Sequence, residues 1–224
     1  MRTPTGTGSR ALAIARRHPS AWLLAVQLLG VVLYPAMDDS AAGRAMFGAF
    51  GVAVLALVLW VVNRNPTANW IAWLLALPGA ALSLGGVLAD RADWQLWGWL
   101  LEGALYLYAA AGLVLYMLRD HRVTLDEWFA IGAAFTLLAW AFAFAFLVCQ
   151  AWYPGSFGEL RSWMELLFLS FATLSGVGLS DVVPQRAPAR ALVMLEMFAG
   201  VMYVAVAVSR LVGLAMLGAR SRAD

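Results

Sequence analysis

The residues that could do chemistry lie together between Trp152 and Pro188. This stretch starts as a turn, Tyr153-Pro154-Gly155-Ser156. An apolar run follows from Ser162 to Thr173, and Ser162 with Glu165 three positions later has the pattern of a capping box. About twelve such residues make roughly 18 Å of helix, too short to cross a bilayer and suited to a helix that re-enters it. Next comes Leu174-Ser175-Gly176-Val177-Gly178-Leu179-Ser180-Asp181, ahead of Val182-Val183-Pro184. Alternating glycines, small hydroxyls and one acid do not continue a helix. Non-helical backbone at membrane depth persists only when it is buried in protein or lines water. A half-helix that aims the negative end of its dipole at a cation, followed by a strand whose carbonyls replace the ion's hydration shell, makes a pore loop. Asp181 would face the outer mouth and, with Glu159 and Glu165, concentrate cations there.

Such a loop needs membrane helices to hold it. The chain has 224 residues, 63% hydrophobic and 12% charged, with a mean hydropathy of +0.78. A soluble domain carries about twice that charged fraction, which excludes a water-soluble enzyme, a disordered regulator and a nucleic-acid binder. One cysteine, Cys149, and two histidines, His18 and His121, exclude a disulfide scaffold and a Cys- or His-rich metal site. No nucleophile stands with a base, so no enzyme, no cofactor and no metal beyond permeating cations, K⁺ or Na⁺, is expected.

Six apolar runs are long enough to span a bilayer: Ala21 to Met37, Ala45 to Val62, Asn69 to Ala89, Leu96 to Leu118, Trp128 to Ala151 and Ala189 to Leu217. The expected fold is an all-α membrane protein, six transmembrane helices with a re-entrant pore helix and filter loop between the fifth and sixth. All fifteen basic residues are Arg; ten fall on the side holding both termini and five on the other. The excess of positive charge puts the termini in the cytoplasm, and the Ala- and Arg-rich composition suits a bacterial plasma membrane. The organisation reads as a cytoplasmic segment at 1–20, four helices at 21–120, a pore region at 121–217 and a tail at 218–224. The fourth span carries no Arg, so it lacks the ladder a voltage sensor needs. Glu102 within it is expected to snorkel outward, and Pro78-Gly79 to kink the third span.

Ser170-Phe171-Ala172-Thr173-Leu174-Ser175-Gly176-Val177-Gly178-Leu179-Ser180-Asp181-Val182-Val183-Pro184 resembles, without a gap, the pore sequence of the potassium-channel superfamily, S-F-x-T-[LM]-T-T-V-G-Y-G-D-x-x-P. The helix from Arg190 to Gly213 resembles the inner helix of bacterial two-helix pores, and the likeness covers about 125–217. It implies ion-binding or filter positions at Thr173, Ser175, Gly176, Val177, Gly178, Leu179, Ser180 and Asp181. It implies a hinge at Gly200, pore lining by Gly200, Tyr203 or Val204, and Ala207, and filter support from Glu196 and Trp163. It also implies a homotetramer, with membrane lipid as the other partner and no nucleic acid.

Where the superfamily has T-V-G-Y-G, this chain has Gly176-Val177-Gly178-Leu179-Ser180. A hydroxyl ring is missing at Gly176, an anchoring phenol is missing at Leu179, and Ser180 stands where glycine would take positive φ. The expected function is therefore a cation channel with weak preference for K⁺ and little voltage dependence. Two other readings stand beside it: a small secondary transporter with a broken-helix site, and a non-conducting membrane protein that retains the pore fold.

Overall fold

The structure, a computed structural model, describes residues 19–33, 54–60, 69–119 and 125–220. Regular structure among the described residues is helical throughout, without strands. Six helices have defined bounds: α1 Pro19–Leu33, α2 Asn69–Leu88, α3 Ala92–Arg119, α4 Leu125–Trp152, α5 Trp163–Leu174 and α6 Ala187–Arg220. Residues 54–60 are also helical. Stretches of four helices are long and apolar enough to cross a membrane: Trp70–Leu88, Ala92–Leu118, Asp126–Trp152 and Ala187–Gly213. These match the last four expected spans. The first expected span is helical over Pro19–Leu33, and its end at 34–37 lies outside the described residues. Most of the second lies outside them too.

The N-terminal helices are joined by short polar ties and close backbone approach. Pro19 opens α1, where a missing N–H costs nothing. The Ser20 backbone N–H and hydroxyl donate to Asp126 at 3.2 and 3.0 Å, fixing the start of α1 to the start of α4. Two turns on, the Thr136 hydroxyl donates to Gln27 Oε1 at 2.7 Å. Gln27 is thus the interhelical partner expected of an amide within a span. α2 continues through Pro78. A tight turn at Ala89-Asp90-Arg91 returns the chain into α3. The two helices then meet through glycines: a Cβ on Gly98 would lie 2.8 Å from the Ser83 backbone nitrogen, and one on Gly86 2.8 Å from that of Gln95. Small residues of this kind let helix backbones approach in a membrane.

α4 is the hub. It packs against α1, α3, α5 and α6, and Leu137, Ala143 and Phe146 on it are fully buried. α5 sits between α4 and α6. The architecture thus seats a helix too short to span against the most buried of the four described apolar spans.

Candidate functional site

The start of α5 is held from several directions. Ser162 caps it: the Ser162 hydroxyl accepts from the Glu165 backbone N–H at 3.3 Å, and the Glu165 carboxylate accepts from the Ser162 N–H at 2.7 Å. This is the reciprocal box read from the sequence. Arg161 Nη1 bridges Glu159 and Glu165 at 3.1 and 3.0 Å. The Ser162 N–H first, and then the Arg161 guanidinium, hold the Glu165 carboxyl below the ordinary carboxylate range. Both acids expected to draw cations to the mouth are therefore engaged with one arginine, while Asp181 stays exposed. Gln150 at the end of α4 grips the backbone ahead of α5. Its Nε2 donates to the Arg161 carbonyl at 2.8 Å, and its Oε1 accepts from the Arg161 N–H at 3.1 Å. Trp163 stands edge-on to Trp140, with centroids 5.2 Å apart. It supports the N-terminal end of α5, about 18 Å from the loop, rather than the filter itself.

At the other end, α5 runs into the glycine-rich loop. The N–H groups of Ser175 and Gly176 donate to the Phe171 and Thr173 carbonyls at 3.1 Å each, and that of Gly178 to Ala172 at 2.8 Å. The loop's donors thus turn back to satisfy the orphan carbonyls of the last helical turn. Gly176 and Gly178 have φ of 74° and 68°, in the left-handed region glycine favours. A Cβ on either would meet nothing within 4 Å. Among the described residues, the carbonyls of Gly176, Val177, Gly178 and Leu179 accept no hydrogen bond. Val177 and Leu179 are 71% and 72% exposed. The loop is therefore tied to α5 by its N–H groups while its carbonyls stay free among the described residues.

Several expected positions fall elsewhere. Thr173 lies in the last turn of α5 with its side chain buried, so it stands outside the open loop. Ser180 is not in the left-handed region. Its hydroxyl accepts from the Val182 N–H at 3.1 Å, closing a local turn, so the expected strain does not arise. Tyr203 and Ala207 were expected to line a pore and are buried within the chain instead. The Tyr203 hydroxyl donates to the Ile131 carbonyl of α4, and its ring meets Phe135 with centroids 6.0 Å apart. These contacts turn the Tyr203 side chain toward α4. Val204, also expected there, is exposed together with Val201 and Val208.

Gly200 also faces inward. A Cβ there would overlap the Leu174 carbonyl oxygen at the end of α5, so close approach accounts for the glycine. One turn earlier Glu196 is fully buried. It is joined to the Ser170 hydroxyl, which also lies 2.8 Å from the Ala139 carbonyl. Glu196 thus acts on the pore helix through a side chain, at a position set by α4, α5 and α6 together. Toward the C-terminal end of α6, Arg210 Nη2 pairs with Glu127 Oε1 of α4 at 2.9 Å. Nothing in the sequence pairs Arg210 with Glu127, because α6 is largely apolar and its facing cannot be read from periodicity. Glu102, expected to snorkel, lines a cavity together with Ser83, Trp99 and Tyr106.

Residues 123–216 match the family described as "Ion channel". No characterised protein and no solved structure matches the chain.

Proposed function

We propose, from the premise that residues 123–216 belong to the ion-channel family and the potassium-channel superfamily, that copies of this chain assemble around an axis lined by Ser175 to Asp181 and conduct cations. The observation that carries this reading is the row of carbonyls from Gly176 to Leu179, without hydrogen-bond partners among the described residues and exposed on an apolar protein. Unpaired carbonyls at membrane depth are costly unless water, ions or other subunits meet them. One loop cannot enclose an ion; four loops, the number the superfamily implies, can. Each α5 then directs its C-terminal partial negative charge at the axis, and Asp181 raises the local cation concentration. The exposed valines of α6, Val201, Val204 and Val208, supply an apolar inner pore. The membrane is a bacterial plasma membrane with both termini cytoplasmic.

Selectivity follows from what the loop lacks. Gly176 offers no hydroxyl ring, and Leu179 offers no phenol to brace the strand. The pore passes cations in preference to anions and separates K⁺ from Na⁺ poorly. Tenfold discrimination corresponds to about 1.4 kcal/mol, so small changes in loop energy are visible. Reconstitution in planar bilayers with opposed K⁺ and Na⁺ gradients tests both claims. Single-channel steps with a reversal potential near zero are expected. A reversal at the K⁺ equilibrium value overturns the selectivity reading; a protein that stays monomeric and passes no current overturns the channel.

A further inference from the structure

Two cavities of similar size flank α3 and α4, about 420 and 440 Å³, within the usual range for small-molecule sites. They share Trp99 and Phe144 in their walls. The second is bounded by apolar, aromatic and small side chains, Leu107, Phe142 and Leu192 among them, and none of its lining residues is charged. A lipid tail suits it. The first differs by a carboxylate. Glu102 enters its wall among Trp99, Tyr106, Trp140, Phe144 and Trp163.

That carboxylate has no counter-charge among the described residues. Glu102 lies ten residues into α3, roughly 15 Å along the helix axis, and no cationic side chain among the described residues pairs with it. Arg161 lines the same cavity but is already engaged by Glu159 and Glu165. An acid among hydrocarbon is expensive, so an alkyl chain fits this cavity badly. A metal ion fits badly too, since no group of three or more potential ligands occurs among the described residues. A carboxylate in a wall that also carries five aromatic side chains is instead complementary to an organic cation, which charge and ring quadrupoles attract together.

We propose that the Glu102 cavity binds an organic ammonium ion with an apolar body. The inference goes beyond ion conduction and does not depend on it. The occupant rests on Trp163, the first residue of α5, and therefore against the seat of the pore helix.

The test is equilibrium binding of radiolabelled benzyltrimethylammonium, which keeps its charge at every pH, to the full chain in phosphatidylcholine nanodiscs. Saturable binding is expected at one site per chain, weakened about tenfold or more by Glu102→Gln and recovered in part by Glu102→Asp. The neutral isostere neopentylbenzene should compete poorly, and Asp181→Asn at the loop should leave the site intact. Equal binding by wild type and Glu102→Gln overturns the proposal. So does competition by neopentylbenzene as strong as that by the unlabelled cation, which marks a lipid-tail slot. Binding lost in Asp181→Asn but kept in Glu102→Gln places the cation in the pore loop and overturns it as well. Size-exclusion profiles identify a variant that has not folded, and Trp99→Leu at the same wall then replaces it, with weaker binding expected and unchanged binding overturning the proposal. A protein that binds but never conducts leaves this site standing and removes only the channel.

Discussion

α4 and α6 are helices of the same kind treated in opposite ways. Each contributes a 27-residue apolar span with the same mean hydropathy. Yet 61% of the most apolar stretch of α4 is buried in the chain, against 28% of that of α6. α4 is enclosed by four neighbours, whereas α6 touches its own chain along one edge: Val193, Glu196, Gly200, Tyr203, Ala207 and Arg210. The rest, from Met194 and Phe198 to Val212, lies open. Hydropathy reports only that a residue avoids water. It does not say whether the alternative is its own fold, lipid, or another copy of the chain. α6 therefore turns most of its surface away from the chain, as does α2, whose apolar span is 22% buried.

The contrast breaks most directly at Gly200. If α6 is held by one edge, a side chain on that edge should unseat it. Gly200→Val drives a branched Cβ into the Leu174 carbonyl, and we expect loss of the folded, assembled species on size exclusion. An unchanged elution profile and melting temperature would show that α6 is free to shift away from α5.

Next in size is the pair toward the C-terminal end of that edge. Glu127 is 2% exposed at its side chain and Arg210 17%. Removing one member of a buried pair strands the other and costs about 3 kcal/mol. Glu127→Ala should lower thermal stability by that order, and Arg210→Met in the same chain should restore much of it. Simple addition of the two single losses would sink the coupling.

The cap on α5 sharpens the comparison more gently. Ser162→Ala should cost about 1 kcal/mol, seen as faster amide exchange in the first turn of α5 with α4 unaffected. The Glu165 carboxyl is held below its ordinary value, so its contribution is complete above the ordinary carboxylate range. It is lost as pH falls through the lowered value. Acidification should therefore speed exchange at the start of α5, and a Glu165→Gln protein that keeps the same acid dependence would contradict this.

The smallest effect on folding is expected on the open face. Phe198→Ala should change chain stability by about 0.5 kcal/mol or less while reducing the fraction of protein in the oligomer by crosslinking. A large stability loss without change in assembly would mean that this face is closed by the chain itself.

The sequence carried local information well. Ser162 and Glu165 announce a cap that the structure contains, and the apolar run they start is a twelve-residue helix, Trp163–Leu174. The glycines at 176 and 178 mark backbone that only glycine takes easily. Information about facing was carried poorly. The resemblance offers Tyr203 or Val204 as a lining position, and what distinguishes them is a bond from the Tyr203 hydroxyl to the Ile131 carbonyl some seventy residues earlier. Ser180 was expected to be strained because the superfamily has glycine there, but the local turn onto Val182 removes the need for positive φ. Gly176 teaches the reverse: its positive φ means that restoring a threonine there would strain the backbone, so Leu179→Tyr is the less disruptive way to stiffen the loop. Glu102 looked like an interfacial acid because distance along a helix was readable and the cavity beside it was not.

The Ser170 hydroxyl also bears on how the protein is made. It sits beside Ala139, thirty-one residues earlier, and Glu196, twenty-six residues later. A ribosome delivers these three in order, so the short helix emerges while half of its polar environment is still unsynthesised. It is too short to cross on its own, and its buried hydroxyl gains the Glu196 carboxyl only once α6 has entered the bilayer. In the proposed channel, re-entry of α5 is then a late step of biogenesis, completed from the C-terminal side. A nascent chain stalled before Glu196 should leave α5 at the membrane surface, open to water-soluble reagents.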